Sequence, residues 1–300
     1  MGTADLARPP ARPRRLAYLG TPDVAVPPLR ALVAAGFDVA IVVSRPDRRR
    51  GRRGEPSPSP VKAAALEMGL PVTEDLDDVV AVGVELGVVV AYGRLIPARI
   101  LEWVPMVNLH FSLLPRWRGA APVERAILAG DEETGVCLMD VDVELDTGAV
   151  HAVRRTSISA DDTLSSLRGR LVDIGAAMLV DSLRSGLGDP EPQHGDITYA
   201  AKIDPDELRI DWTRPVDDID RLVRLGGAWT TFRGARLKVH AADVDHGPVT
   251  TPPGTLDGLV VAGGTGSIVL REVQPEGRGR QSADAWRNGA RPVPGERLGE

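Results

Sequence analysis

The sequence predicts an α/β chain in two parts: a Rossmann-like, mostly parallel sheet with helices on both faces, followed by a small C-terminal β-barrel. Three observations predict it. Up to Leu187, apolar runs of strand length alternate with runs of helical period, the pattern of βαβ units. At 300 residues the chain exceeds one ordinary domain of about 150. Beyond His194 the pattern changes to short strands separated by turns, as in small barrels.

RLAYLG, a short apolar run ending in glycine, is the first strand; TPDVAVPPLRALVAAG carries helical apolar spacing, and DVAIVVS is a second buried strand. SPVKAAALEMG reads as a helix, residues 76–86 as another, GVVVAYG as a strand, residues 97–103 as a helix and MVNLH as a strand. TGVCLMDV is a further strand that ends in the loop DVELDTG, before AVHAVRRTSI and a helix over residues 161–187. GDPEPQHGD is rich in proline, glycine and acids and has no periodicity, so it reads as a linker. A helix over residues 215–225 then precedes the strands ARLKVHAADV, GTLDGLVVAGG and GSIVLREVQ. The expected division is a disordered tail at 1–14, a first domain at 15–188, a linker at 189–207 and a second domain at 208–300.

Composition excludes several classes. With 43% hydrophobic and 26% charged residues the chain can bury substantial cores and is not disordered throughout. The longest apolar stretch, residues 79–92, is broken by Gly83, Glu85 and Gly87 and falls short of the ~20 residues that span a bilayer, so no membrane segment is expected. MGTADLARPPARPRR has no apolar core and holds three prolines, so neither a signal peptide nor a transit helix fits. Cys137, the single cysteine, sits in the alternating run GVCLMDV, where a core residue is expected rather than a reactive thiol. Together these features suggest the cytoplasm. The net charge of -6 argues against nucleic acid, but the charge is unevenly spread: RPDRRRGRRG, residues 45–54, holds six arginines against one acid.

Several motif readings fail on spacing. The dinucleotide fingerprint needs three glycines after the first strand, and GTPD supplies Gly20 alone. AGGTGS, residues 262–267, lies between two strands and reads as a hairpin turn. DVDVELDTG carries acids at alternate positions like a calcium loop, but Leu145 stands where the turn glycine belongs and His151 where the bidentate glutamate belongs. No Cys/His set has zinc spacing and no serine sits in GxSxG, so neither a metal enzyme nor an α/β-hydrolase is supported.

Asn108 and His110 end MVNLH, and in open α/β sheets ligands bind beyond the carboxyl ends of the strands. Two residues apart on a strand, their side chains point the same way. An asparagine amide donates to a carbonyl oxygen as negative charge develops there, which lowers a barrier by roughly 3–4 kcal/mol. An aspartate beside the histidine would hold the ring in position and make it a better proton carrier, and Asp146 in the neighbouring loop is the candidate. From residue type and spacing alone, a structural role for an asparagine and a histidine at a strand end is the commoner reading.

NLHFSLLPRWRGAAPVERAILAGDEETGVCLMDVDVELDTGAV closely resembles the central segment of folate-dependent formyltransferases, and within them the branch that formylates methionyl-tRNA. Further matches are GTPDVAVPPLRAL, PSPVK, AYGRLIP, IDW at 210–212, QPEGRGRQSADAWRNG and PVPGERL, so the likeness covers nearly all of the chain after residue 14. The resemblance implies that Asn108, His110 and Asp146 are catalytic and that 10-formyltetrahydrofolate is the formyl donor, with no metal. It implies a pterin cleft bordered by AYGRLIP and DVELDTG, with Ala91, Tyr92, Gly93, Leu95, Ser112, Leu113, Leu114, Pro115, Val141 and Asp142 as folate contacts. An amine attacks the formyl carbon in such enzymes. Asn108 and His110 are then expected to stabilise the oxyanion, while Asp146 tunes His110 and helps, through water, to move the amine proton to the leaving nitrogen.

The catalytic segment is shared with formyltransferases acting on nucleotide sugars or ribonucleotide amines, so it does not choose the acceptor. The basic run does. Arg45, Arg48, Arg49, Arg50, Arg52 and Arg53 stand between the second strand and PSPVK, where the tRNA-acting branch carries an inserted basic loop. Arginines there can neutralise phosphates and stack on unpaired bases, so initiator methionyl-tRNA is the expected partner. Lys62 is a further candidate for that surface, with a partly exposed helix lysine as the other reading. The C-terminal part resembles the family's OB-like barrel, in which Arg233, Arg236 and Lys238 are candidate phosphate contacts or plain surface charges. LGGAWTTFRG, residues 225–234, departs from the family's usual asparagine-proline-tryptophan-proline run. The resemblance also implies a monomer. Formyl transfer to an amino sugar nucleotide is the nearest alternative. A non-catalytic tRNA-binding protein is an alternative of another class, disfavoured by the intact Asn108, His110 and Asp146.

Overall fold

The structure is a computed structural model and describes residues 6–49 and 55–300. Two compact units account for them. The first comprises residues up to Val123, Glu133–Ser157 and Arg168–Ala201; the second comprises Glu124–Glu132, Ile158–Leu167 and Lys202–Glu300. Among the described residues no helix is long and apolar enough to cross a membrane.

In chain order, β1 (Arg15–Gly20) leads through α1 (Val26–Ala34) to β2 (Asp38–Val43), as the βαβ reading expects. A short antiparallel pair, β3 (Arg48–Arg49) with β4 (Pro56–Ser57), precedes α2 (Pro60–Glu67), which starts on proline and is capped by the Ser59 hydroxyl accepting from the Lys62 N–H. Next come β5 (Val72–Thr73), α3 (Asp77–Ala81), β6 (Leu86–Val90), α4 (Ala98–Leu101) and β7 (Met106–His110). They are followed by β8 (Arg118–Gly119), α5 (Pro122–Ala129), β9 (Glu133–Asp140), β10 (Val150–Ser157), α6 (Leu164–Ser185) and β11 (Tyr199–Ala200).

The main sheet of the first unit has the order β10-β9-β7-β6-β1-β2-β5. It is parallel from β7 to β5, while β9 runs antiparallel to both β7 and β10. The antiparallel turn has a plain cause: β9 and β10 are joined by residues 141–149, too short for the crossover a parallel pair requires. Every residue of β6 is buried, the mark of a central strand covered on both faces. Cys137 is buried in β9 and burial pushes its thiol up, as a core cysteine should behave.

Local differences from the sequence reading have physical reasons. The helix expected over 76–86 is confined to α3, because Gly83 takes a left-handed φ of +66° and the chain must already enter β6 at Leu86. Residues 6–14, expected as a disordered tail, lie along the first unit: Ala7 N–H donates to Leu101 O and Leu187 N–H to Ala11 O, and Leu6 packs on the apolar cluster around Leu101 and Met106. Residues 1–5 are outside the described part. Residues 189–207, read as a linker, include Glu191 bridged to Val150 and a strand, β11, paired with β8.

The second unit holds α7 (Val216–Leu225), β12 (Trp229–Phe232), β13 (Ala235–Asp245), β14 (Leu256–Asp257), β15 (Val260–Ala262), β16 (Ser267–Pro275), β17 (Gln281–Ser282) and α8 (Ala283–Ala290). The strands form an antiparallel half-barrel in the order β12-β13-β16-β15-β14 with β17 on β16, in agreement with the expected OB-like architecture. Val216, Ile219, Leu222 and Val223 fall on one stripe of α7 and join Leu237, Val239, Ile268 and Leu270 of the strands in a single core. Trp286 of α8 meets Phe232 edge-on at 5.2 Å. In the divergent LGGAWTTFRG run, Gly226 and Gly227 take φ of +83° and +85° to end α7.

Candidate active site

β7 is the element on which the candidate site rests. Its register sets Asn108 opposite Met139 and His110 opposite Cys137 of β9, so both side chains leave the same face near the carboxyl end of the strand. His110 is buried, at 5% exposure, and Asn108 is half-buried. Among the described residues the Asn108 amide has no side-chain hydrogen bond to the protein, which leaves its donors for another molecule.

His110 is held at both ring nitrogens. Nε2 lies 2.9 Å from the carbonyl oxygen of Trp117, and Nδ1 lies 3.6 Å from Asp146 Oδ2. The second distance is longer than a hydrogen bond but within ion-pair range. A carbonyl only accepts, so Nε2 carries a proton and donates to it, while Nδ1 faces the carboxylate. Asp146 is in turn fixed by the Gly119 N–H, which donates to its Oδ2 at 2.8 Å. The structure therefore brings His110 and Asp146 together, with Asn108 beside them on the strand.

The loops that deliver these groups have unusual backbones. Of the five non-glycine residues with left-handed φ among the described residues, Ala91, Trp117 and Asp146 (+46°, +64° and +55°) lie in loops around this site. Such conformations persist only where surrounding bonds over-determine them. At Trp117 the N–H donates to Thr198 Oγ1 at 2.8 Å, and the next residue's N–H, Arg118, donates to Thr198 O at 2.9 Å. Gly119 has φ +124°, and a Cβ there would sit 2.8 Å from Ala200 O, so the close approach of β8 to β11 requires glycine.

One further side chain, Gln193, ties down the loop that carries Asp146, with Arg118 behind it, and neither stands out in the sequence. Gln193 Nε2 donates to Asp146 O and Gly148 O at 2.9 and 2.8 Å, and its Oε1 accepts from Arg118 Nε and Nη2 at 3.1 and 2.7 Å. At the base of the loop, His151 Nε2 lies 2.8 Å from Asp140 Oδ1 and its Nδ1 lies 2.9 Å from Gly188 O. Burial of His151 opposes its charge, but the bonds to Asp140 and Gly188 outweigh it and raise its pKa above the ordinary value. Nothing in PEPQHGD marks Gln193, because proline and glycine there signal the absence of regular structure and say nothing of contacts.

The remaining candidates divide. A cavity of about 220 Å³ is lined by Val141, Asp142, Leu101, Met106 and Leu6, among others, so Val141 and Asp142 of the expected folate contacts lie on it. Tyr92 is buried with an unpartnered hydroxyl, while Ala91, Gly93 and Leu95 are exposed. Ser112 is fully buried and donates to Arg116 O at 2.6 Å, which turns the SLLP segment; Pro115 is buried and follows a cis peptide bond. Leu113 and Leu114 are half-buried.

Among the basic residues, Arg48 and Arg49 are exposed on β3, whereas Arg45 is half-buried and donates to Gly93 O. Arg50, Arg52 and Arg53 lie outside the described residues. Lys62 is held between Asp47 (2.7 Å) and Glu74 (3.0 Å), and the bond to Asp47 first, then that to Glu74, raises its pKa. In the second unit Arg233 forms a two-pronged pair with Glu296, and Arg236 stacks 3.9 Å over the Trp229 ring; Lys238 is half-buried on β13, opposite Trp229.

Comparison with known proteins gives the same picture. Residues 14–183 match the formyl transferase family and residues 202–291 match the formyl transferase C-terminal domain. A methionyl-tRNA formyltransferase of Ruegeria pomeroyi is 45% identical over 302 residues, covering 95% of this chain and 100% of that protein. Among solved structures, an N-formyltransferase of Helicobacter canadensis in complex with folinic acid and dTDP-3-aminofucose superposes with a TM-score of 0.66 at 16% identity, covering 87% of this chain and 98% of that one. HypX of Aquifex aeolicus in complex with tetrahydrofolic acid superposes with a TM-score of 0.64 at 16% identity; the match covers 92% of this chain and spans about half of that protein, 47%. These two likenesses speak to fold alone. Motifs, fold and full-length similarity converge: the chain belongs to the formyl transferase family.

Proposed function

We propose that this protein transfers the formyl group of 10-formyltetrahydrofolate to the amino group of initiator methionyl-tRNA, acting as a cytoplasmic monomer. The observation that carries this reading is the full-length likeness to a methionyl-tRNA formyltransferase, which spans both units and covers all of that relative. Asn108, His110 and Asp146 are the catalytic residues.

The donor supplies an electrophilic carbonyl carbon. Everything else falls to the chain. Asn108, with its amide free of protein partners, donates to the carbonyl oxygen as negative charge builds there. His110, whose two ring nitrogens face Trp117 O and Asp146, acts on that oxygen through the positive charge of its protonated ring and not as a hydrogen-bond donor. Asp146 keeps the ring oriented and, through water, accepts the proton that the attacking amine sheds and returns it to the departing nitrogen. The buried, unpartnered Tyr92 hydroxyl offers a polar contact to a ring system such as a pterin. Arg48 and Arg49 give the acceptor a basic, exposed contact.

The test is direct. Purified protein incubated with 10-formyltetrahydrofolate and methionyl-tRNA is expected to yield formylmethionyl-tRNA, and amino sugar nucleotides offered in parallel are expected to remain unmodified. Folded His110→Ala or Asp146→Asn protein that keeps the parent rate would refute the assignment of the catalytic residues.

A further inference from the structure

We propose that Gln193 and Arg118 are positioning residues for catalysis: they lock the loop 141–149 in the conformation that aims Asp146 at His110. The inference rests on the reading of Asp146 as catalytic.

Asp146 needs a lock. Its left-handed φ of +55° is one that an aspartate adopts at a cost, and the preceding Val143, Glu144 and Leu145 are exposed, so packing of these neighbours supplies little restraint. Restraint comes from outside the loop. The Gly119 N–H grips the carboxylate, and the Gln193 amide grips the backbone on either side of Thr147 by donating to Asp146 O and Gly148 O. A single side chain thus spans the turn that sets the direction of Asp146.

The orientation of that amide is not open to choice. Its nitrogen faces two carbonyl oxygens, which only accept; its oxygen faces the guanidinium of Arg118, which only donates. Flipping the amide would set four contacts against each other. Arg118 is buried, at 8% exposure, and belongs to β8, whose next residue is the Gly119 that holds the Asp146 carboxylate. The same short strand therefore fixes both ends of the arrangement, the carboxylate directly and the backbone through Gln193. Thr198, five residues after Gln193, holds Trp117, whose carbonyl holds the other side of His110. The segment of the chain without sequence periodicity braces both partners of the His110–Asp146 pair.

Gln193→Glu separates the two ends of the brace. The carboxylate keeps the length of the side chain and pairs with Arg118, but it presents an acceptor to Asp146 O and Gly148 O where a donor stood. Misplacing a catalytic group by about an ångström costs on the order of 100-fold. The expected result is a kcat lower by about 10- to 100-fold with KM for methionyl-tRNA within about twofold of the parent. Because the effect passes through Asp146, Gln193→Glu is expected to add nothing to Asp146→Asn in the double variant. A parent-like kcat in Gln193→Glu, or a loss that multiplies with that of Asp146→Asn, overturns the proposal while leaving the catalytic assignment standing. Full activity in Asp146→Asn alone overturns the assignment and the proposal together. Gln193→Met, of similar length and uncharged, is measured in the same way, so that the outcome does not depend on one variant folding.

Discussion

Gly148 is the residue at which a single methyl group has the most to say about catalysis. A Cβ added there would lie 1.9 Å from Asp140 O and 2.7 Å from Asp140 C, against contacts of at least about 3 Å that real Cβ atoms keep. Asp140 cannot yield easily. Its register partner is Val107 of β7, its N–H donates to Ala149 O at 2.8 Å, and its carboxylate holds His151. The shift of more than an ångström therefore falls on the loop, two residues from Asp146 and at the carbonyl that Gln193 grips. Overpacking of this kind costs about 1–3 kcal/mol of stability, and with Asp146 in the catalytic role proposed above an ångström of displacement there costs on the order of 100-fold in rate. Gly148→Ala is thus expected to lower kcat by roughly 100-fold while the protein remains folded, read from single-turnover formylation of methionyl-tRNA and thermal unfolding. The companion variant is Gly169→Ala, exposed on α6 with no atom near its Cβ, which is expected to gain about 0.5–1 kcal/mol of stability at unchanged activity. A Gly148→Ala protein within threefold of the parent rate would refute the steric reasoning, because Gly148 has no left-handed φ to confuse backbone strain with contact.

Other outcomes are equally specific. Because the folded-state pKa of His151 is raised, the Asp140–His151 pair contributes stability that is fully present below the ordinary histidine range and is lost as pH rises through the raised value. The parent is therefore expected to lose stability relative to His151→Gln between neutral and alkaline pH, and parallel unfolding curves across that range would contradict the pairing. Replacing Arg48 and Arg49 with alanine is expected to reduce the slope of log affinity for tRNA against log salt by about 1–2, in proportion to the phosphates released; an unchanged slope removes β3 from the tRNA contact. In the second unit Trp286→Ala is expected to cost about 3–5 kcal/mol in denaturant unfolding, since it leaves a cavity beside Phe232 in a fully packed core.

Much of the fold was legible because burial leaves a periodic trace. The all-apolar run of β6 and the helical spacing of α1 and α7 report which faces are covered, and the end of MVNLH announced where Asn108 and His110 would stand. The antiparallel placement of β9 against β7 was not legible, because the long connection between them, with α5 in it, allows either direction. The short helices α3 and α4 were overdrawn, since apolar spacing continued into the strand or turn that followed. The charged run was read as one surface, yet Arg45 folds back onto Gly93 while Arg48 and Arg49 stay exposed; sequence gives charge density but not the direction of each guanidinium. Gln193 leaves no trace in the sequence for the same reason: its hydrogen bonds go to residues 45–75 positions away.

Contacts so distant in sequence limit how the protein can be taken apart. A fragment cut where the composition changes, just after Leu187, would retain Asn108, His110 and Asp146 and yet lose Gln193, Thr198 and the strand that pairs with Arg118–Gly119. It would own all three proposed catalytic side chains but lack the bonds from Gln193 and Thr198 that brace Asp146 and Trp117. The smallest piece that keeps the site's architecture runs through Ala201, so fusion points, protease sites and domain swaps between relatives belong beyond that residue rather than in the proline-rich stretch before it.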